Sequence, residues 1–222
     1  MHEIDVETDL LANNNAVAQH NRDHFAASHT YVINMMSSPG AGKTTLLERT
    51  IDALVGKYKL GVIEGDVQTD LDARRIGKHH VPVVQINTGG ACHLDARLVH
   101  RELDRFDTSQ LDLLIIENVG NLVCPAEFDL GEHDKIMLLS VAEGDDKPRK
   151  YPVMFHSSRA LIINKIDLLE HTNFDMDKAE RDARAYNLDL SVFRLSARTG
   201  AGMDGWLAWL ESRIALTKAH GG

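Results

Sequence analysis

Short, uninterrupted apolar runs recur along this chain at 31–36, 60–63, 81–86, 111–116, 136–141, 160–163 and 190–195. Most are continuous rather than alternating, the pattern of strands covered on both faces. Between several of them apolar positions fall at helical spacing, near 45–58, 94–106, 175–187 and 202–217. Strand, helix, strand in that rhythm predicts an α/β fold: a mostly parallel sheet flanked by helices on both faces. Ahead of the first strand, residues 3–27 read as a further helix, with Ile4, Leu10, Leu11 and Val17 near one face and Phe25 closing the segment. The polar run Asn13, Asn14, Asn15 interrupts it. No repeat, low-complexity tract or linker divides the chain, so 1–222 is expected to be one domain with 1–29 as a helical extension.

Composition narrows the classes. A chain of 222 residues buries roughly 70% of its unfolded surface and needs no disulfide or structural metal to fold. Lys+Arg 24 against Asp+Glu 33 gives −9, the wrong sign for a general nucleic-acid or anionic-membrane binder. The longest apolar runs are about five residues, far short of the ~20 a membrane span needs. The acidic start, MHEIDVETDL, lacks the basic-then-apolar order of a signal peptide. Two cysteines leave no disulfide framework and point to a reducing compartment. The expectation is a cytoplasmic protein.

The strongest motif is Ser37-Ser38-Pro39-Gly40-Ala41-Gly42-Lys43-Thr44-Thr45, between an apolar run and a helical one. A phosphate loop reads G-x-x-x-x-G-K-[ST] in that setting; Ser37 replaces the first glycine, while Gly42, Lys43 and Thr44 match. Gly40 and Gly42 let backbone N–H groups turn toward phosphate oxygens, and the helix that follows points its positive end at them. Lys43 would set a compact charge on the β- and γ-phosphates, and the Thr44 hydroxyl would ligate Mg²⁺.

Further along, Asn164-Lys165-Ile166-Asp167 follows a buried strand and looks like the guanine-specificity element N-K-x-D of GTPases. The Asp167 carboxylate can accept from both guanine N1–H and the exocyclic amine, a donor pair adenine lacks. Asn164 would brace the loop and the Lys165 stem would cover the base. Ser196-Ala197-Arg198, after the next strand, resembles the S-A-K element whose backbone N–H reads guanine O6. Between these elements lies Glu117-Asn118-Val119-Gly120, where GTPases usually write D-x-x-G. Glu117 is the candidate Mg²⁺ carboxylate and Gly120 the candidate γ-phosphate sensor. Asp66 and Asp72 flank an expected switch segment, and one of them could ligate Mg²⁺ or orient the attacking water; Asp70 reads as a solvated acid.

Cys92-His93 precedes a helix, and Cys124 lies four residues beyond Gly120, inside the segment that should move when the γ-phosphate is lost. Two thiols and an imidazole suit Zn²⁺ or Ni²⁺, one ligand short of a closed tetrahedron. A two-fold dimer would supply two such sets. The alternative from spacing alone is two ordinary cysteines, since a free cysteine is often just a small hydrophobe. The other histidines show no ligand spacing.

Together with Glu64-Gly65-Asp66, Thr88-Gly89-Gly90-Ala91-Cys92-His93-Leu94-Asp95 and Glu117 through Ala126, these segments resemble the hydrogenase nickel-incorporation GTPases, the HypB family, of the SIMIBI class of P-loop GTPases. The resemblance covers nearly the whole chain. It implies slow Mg²⁺-dependent conversion of GTP to GDP and a homodimer favoured by GTP. It further implies Cys92, His93 and Cys124 as Ni²⁺ or Zn²⁺ ligands at the dimer interface, and delivery of Ni²⁺ to the [NiFe]-hydrogenase large subunit with a HypA-type accessory protein as partner. Lys147 and Lys150 read first as part of a solvated charge run; the alternative is that one of them reaches the partner's nucleotide. An N-terminal cysteine- or histidine-rich metal motif, common in such proteins, is missing from this sequence. A urease accessory G protein fits the Thr88–His93 stretch less well. A metal-binding protein with a vestigial GTPase site would not need Lys43, Thr44, Glu117 and Asp167. A small-molecule kinase would not need Asn164-Lys165-Ile166-Asp167.

Overall fold

The computed structural model describes residues 3–66 and 71–219, with side chains from residue 10 onward. Seven strands form one sheet in the order β3-β2-β4-β1-β5-β6-β7, and every neighbouring pair is parallel. They are β1 (Tyr31–Ser37), β2 (Leu60–Asp66), β3 (Val83–Asn87), β4 (Leu113–Glu117), β5 (Asp134–Ser140), β6 (Ala160–Asn164) and β7 (Ser191–Arg194). The third starts at Val83 because Pro82 has no N–H to donate to a ladder; its carbonyl accepts from Val62 N instead.

The continuous apolar runs are explained by cover on both sides. Ile33, Met35, Leu113 and Ile115 pack on one face under α2 (Lys43–Leu54) and α9 (Met203–Ala219), around the buried Trp206. On the other face Met137, Leu139, Leu161 and Ile163 meet α7 (Pro152–Ser157) and α8 (Met176–Arg184). Beside them, Val32, Ile63, Leu114 and Ile116 meet α4 (Ala96–Leu103) and Phe25 of α1 (Glu3–Ser28). Three further short helices are α3 (Leu71–Gly77), α5 (Cys124–Glu127) and α6 (Lys147–Lys150); the sequence pattern indicated none of these, nor α7.

The N-terminal helix is present and docks through the expected face, with Leu11 and Val17 half-buried at its margins, but amides hold the centre of that face. Its buried positions are Asn14, Ala18, Asn21 and Phe25, while Leu10 is half exposed; the side chain of Ile4 lies outside the described residues. The docking face is half amide. Asn14 accepts from Ala96 N (2.9 Å) and donates to Asp129 O (2.8 Å). Asn21 donates to Ala96 O and Leu130 O, both at 3.0 Å. The polar run that interrupts the apolar pattern is thus where α1 is fastened.

Because all strands run the same way, the ends of β1, β2, β4 and β6 open on one edge of the sheet, where connections to either side of β1 part and leave a crevice. Replacing Asn21 by Leu strands two carbonyls and one imidazole, so a loss of about 2–3 kcal/mol is expected. It is measured as a lowered urea midpoint, with the exposed Asn15→Ala as the unaffected control.

Candidate nucleotide and metal site

β1 ends at Ser37, and the chain turns through Pro39–Gly42 into α2. Gly40 (φ 76) and Gly42 (φ 100) take the left-handed backbone the turn requires. A side chain at Gly42 would also meet Asn164 Nδ2 at 2.7 Å. At the position where the motif lacks its first glycine, Ser37 Oγ accepts from Lys43 Nζ (3.0 Å) and so aims that ammonium. Burial pulls the Lys43 pKa below the usual lysine range, against the pull of Glu117 and Asp72. Thr44 Oγ1 donates to Glu117 Oε1 at 2.9 Å.

The loop opens on a cleft of about 600 Å³ lined by Pro39, Gly40 and Lys43–Thr45, by Glu64–Asp66, by Asp72 and Arg75, by Glu117–Gly120 and by Lys165. Gly120 closes against the loop: a Cβ there would sit 3.1 Å from Pro39 Cα. Asp66 and Asp72 both reach this cleft, and Asp72 accepts from Arg75 Nη1 (3.1 Å). Residues 67–70 of the expected switch lie outside the described residues.

Glu64 is a cleft residue to which sequence reasoning assigned no role. It lies within β2, paired in register with Glu117 of β4, and an acid inside an apolar strand was the available signal. Burial pushes Glu64 up to about 8, helped by the neighbouring Glu117 and Asp66. Burial pushes Glu117 up to about 7, although Lys43 and the Thr44 hydroxyl oppose it. One oxygen of each, Oε2, is buried without a hydrogen-bond partner. Orphaned carboxylate oxygens beside a threonine hydroxyl form an all-oxygen donor set, and these residues fit a hard cation such as Mg²⁺.

A second cavity, about 320 Å³, lies beside the loop and is lined by Gly42, Thr45, Asn164, Lys165, Asp167, Leu168, Ala197 and Arg198. Asn164 ties its walls together, donating to Ala41 O (2.9 Å) and accepting from Ala197 N (3.0 Å). Lys165, itself at φ 63, donates to Gly40 O at 2.6 Å. Asp167 is exposed at the rim. Ala41 and Ser196 are buried and line neither cavity; Ser196 Oγ accepts from Thr199 N (3.1 Å) and shapes the turn that presents Ala197 and Arg198.

The two thiols meet. Cys92 Sγ and Cys124 Sγ are 2.9 Å apart, and His93 Nδ1 is 3.6 Å from Cys92 Sγ. One ligand atom from each of the three residues falls within 4.8 Å of the other two. Burial lowers the His93 pKa and so favours the neutral ring; the ring packs tilted against Phe128 with centroids 3.9 Å apart. The hydrogen bond with Cys92, then burial, pushes the Cys124 thiol up to about 11. Metal binding here would therefore release thiol protons.

The thiol cluster and the cleft share one buried side chain that the sequence did not single out. Asn118 Oδ1 accepts from Leu94 N (3.1 Å), next to His93, and from its neighbour Val119 N (2.9 Å). Leu94 is in turn pressed on β2, where a Cβ on Gly65 would meet its side chain at 2.8 Å. Lys150 pairs with Asp146 (2.6 Å), and Lys147 lies over the Tyr151 ring.

Residues 31–194 match the CobW/HypB/UreG nucleotide-binding domain. The chain is 54% identical over 206 residues to the hydrogenase maturation factor HypB of Azotobacter vinelandii, covering 93% of this chain and 68% of that one. The chain belongs to the HypB family. To the probable HypB of Methanocaldococcus jannaschii it is 42% identical, with 97% of both chains covered. The crystal structure of HypB from Helicobacter pylori in complex with nickel superposes with a TM-score of 0.86 at 39% identity, over 91% of this chain and 95% of that one. The cleft and the thiol cluster both lie within the segment that matches the HypB-containing domain family.

The buried acids set a pH dependence whose sign is fixed. Glu64 and Glu117 hold protons in the folded chain up to about 8 and about 7, from an ordinary value of 4.5. Between those limits the folded state binds more protons than the unfolded one, so these groups make stability fall as pH rises. Thermal unfolding of the nucleotide-free chain is expected to lose midpoint between about pH 5 and pH 8 from this source. Glu64→Gln should flatten the decline and raise the midpoint at the alkaline end.

Proposed function

We propose that this chain is a GTP-hydrolysing metallochaperone. In this reading it carries Ni²⁺, or Zn²⁺ in its place, on Cys92, His93 and Cys124 at a nucleotide-gated dimer interface, and assists nickel insertion into [NiFe]-hydrogenase. The observation that carries the proposal is the Asn118 side chain, which joins the backbone after Glu117 to the backbone after His93. The nucleotide edge and the Cys92–His93 loop therefore share one side-chain anchor. The names and the nickel complex of HypB relatives support the cargo.

Asp167 would accept from guanine N1–H and its amine in the smaller cavity, and Arg198 and the Ala197 backbone would close the base edge. Lys43 and the inward N–H groups of 40–45 would hold the β- and γ-phosphates. Thr44, Asp66 and Glu117, with Glu64 behind them, would hold Mg²⁺, which when bound neutralises charge on the phosphates. Asp72 would orient the water that attacks the γ-phosphorus; the β–γ bridge bond breaks, giving GDP, phosphate and a proton. Loss of the γ-phosphate releases Gly120. Segment 118–124 then relaxes and carries Cys124 away from Cys92, loosening the cargo.

In this scheme 1–222 acts as one GTPase unit in the cytoplasm. A second copy completes the coordination shell, the hydrogenase large subunit receives the cargo with a HypA-type protein as accessory partner, and neither nucleic acid nor membrane takes part. Among the described residues no helix is long and apolar enough to cross a membrane.

Ni²⁺ affinity should differ about 5- to 150-fold between a non-hydrolysable GTP analogue and GDP, the usual span of a coupling free energy. Asn118→Ala should bind both ligands and lose most of that ratio in paired equilibrium titrations. Equal ratios in variant and wild type would remove the proposed link. Asp167→Ala should weaken GTP roughly 10- to 150-fold, the worth of one charge-assisted hydrogen bond, and leave Ni²⁺ uptake in GDP unchanged.

A further inference from the structure

Outside both cavities and the thiol cluster, the fold brings together two histidines whose spacing in sequence suggests nothing. His20 on α1 and His100 on α4 face each other with ring centroids 5.0 Å apart and planes at 71°. Two imidazoles on one metal, with metal–nitrogen bonds of about 2.1 Å and angles of roughly 90–110°, place their centroids about 4.7–5.4 Å apart. The observed separation lies within that range.

The tautomer of His100 is set by its surroundings. Asn21, fully buried, spends its Nδ2 on Ala96 O and Leu130 O. The reversed amide would turn its oxygen toward two carbonyls, so Oδ1 must be the atom 2.9 Å from His100 Nδ1. That oxygen can only accept. His100 Nδ1 therefore carries the proton, and Nε2 of this exposed ring keeps its lone pair. A ligating histidine characteristically donates its other N–H to a carbonyl or carboxylate, which fixes the ring and raises its basicity. His100 has that arrangement without any metal. His24, one turn beyond His20, is held through Nε2 by Thr108 Oγ1 (2.8 Å) and is not counted as a ligand.

We propose that His20 and His100 Nε2 form a second, all-imidazole site for a borderline divalent transition metal, with water in the remaining positions. Two neutral nitrogens and water hold such an ion more loosely than thiolates do. This makes it a labile site on the helix that directly follows Cys92-His93. The inference stands whether or not the thiol cluster carries nickel.

The test is equilibrium dialysis of the full chain against Ni²⁺, read together with the near-ultraviolet charge-transfer band that only thiolate-bound nickel gives. Wild type should take up one equivalent per chain beyond the nickel that develops the band. His20→Ala, at an exposed helix position, and His100→Gln should each weaken that extra equivalent at least about tenfold, as loss of a ligand or its support does, with the band and the far-ultraviolet circular dichroism unchanged. Retention of the extra equivalent in either variant overturns the site. So does a wild type that binds only band-forming nickel, which would make the two rings an edge-stacked pair and nothing more.

Discussion

The side-chain oxygen of Asn118 is the point on which the functional edge of this protein hangs. It accepts from Leu94 N and Val119 N, while its amide nitrogen donates to Asn34 Oδ1 at 3.2 Å. Asn34 belongs to the central strand and is anchored by Glu132 (3.1 Å). An amide is suited to this place because it offers donor and acceptor together and brings no charge. An aspartate could accept from both backbone groups but would meet Asn34 Oδ1 with a second acceptor. A leucine would leave two buried N–H groups unsatisfied, each costing on the order of 1–3 kcal/mol. One uncharged side chain thus sets the positions of the γ-phosphate end of the cleft and of the Cys92–Leu94 loop relative to the rigid centre of the sheet.

Electrostatics divides the same edge into two regimes. In the cleft, Lys43 is buried among Glu64, Glu117 and Asp72, and burial moves each titrating group it affects toward its neutral form. Two carboxyls that share one site and hold their protons near neutrality are poorly matched to an empty cleft and well matched to one receiving a cation. The thiol cluster is partly open to solvent; there the hydrogen bond with Cys92 is the first cause that holds the Cys124 thiol neutral, while burial favours the neutral His93 ring. In each place the unliganded chain stores neutral donors that a metal converts to ligands by displacing protons.

Much of this was legible in the sequence because it rests on local chemistry. The phosphate loop, the Asn164–Asp167 element and the Cys–His pair are short and each sits at a strand end, so alternating patterns suffice to place them. The strand runs reappear with boundaries shifted by a few residues, Pro82 accounting for one of the shifts. Features that depend on burial among distant partners were not legible. Glu64 is one acid of the Glu64-Gly65-Asp66 segment with no assigned role until Glu117 stands in register beside it. Asn14 weakens a helix pattern until Ala96 and Asp129 are seen to need its amide. Hydropathy placed the docking face of α1 but not its chemistry: Asn14 and Asn21, between the apolar positions, make the hydrogen bonds to the backbone of Ala96, Asp129 and Leu130.

The buried amides also join up. Asn21 donates to Leu130 O, Leu130 N donates to Glu132 Oε2 (2.6 Å), and Glu132 Oε1 accepts from Asn34, which accepts from Asn118. A hydrogen-bonded path therefore runs from α1, beneath the β1–β5 edge, to the backbone beside His93. Contiguity of this kind does not by itself transmit anything; coupling needs an element with two arrangements whose balance both ends bias. Most of the path is ill suited to that role, since its members are buried and fully bonded, and Glu132 is held protonated-prone by complete burial. The segment after Asn118 is different in kind. Val123 is exposed, and Cys124 begins a helix of only four residues. The rigid amides serve as the fixed frame, and the segment between Asn118 and Cys124, which touches the phosphate loop at one end and the thiol cluster at the other, is the place where a two-state element would have to lie.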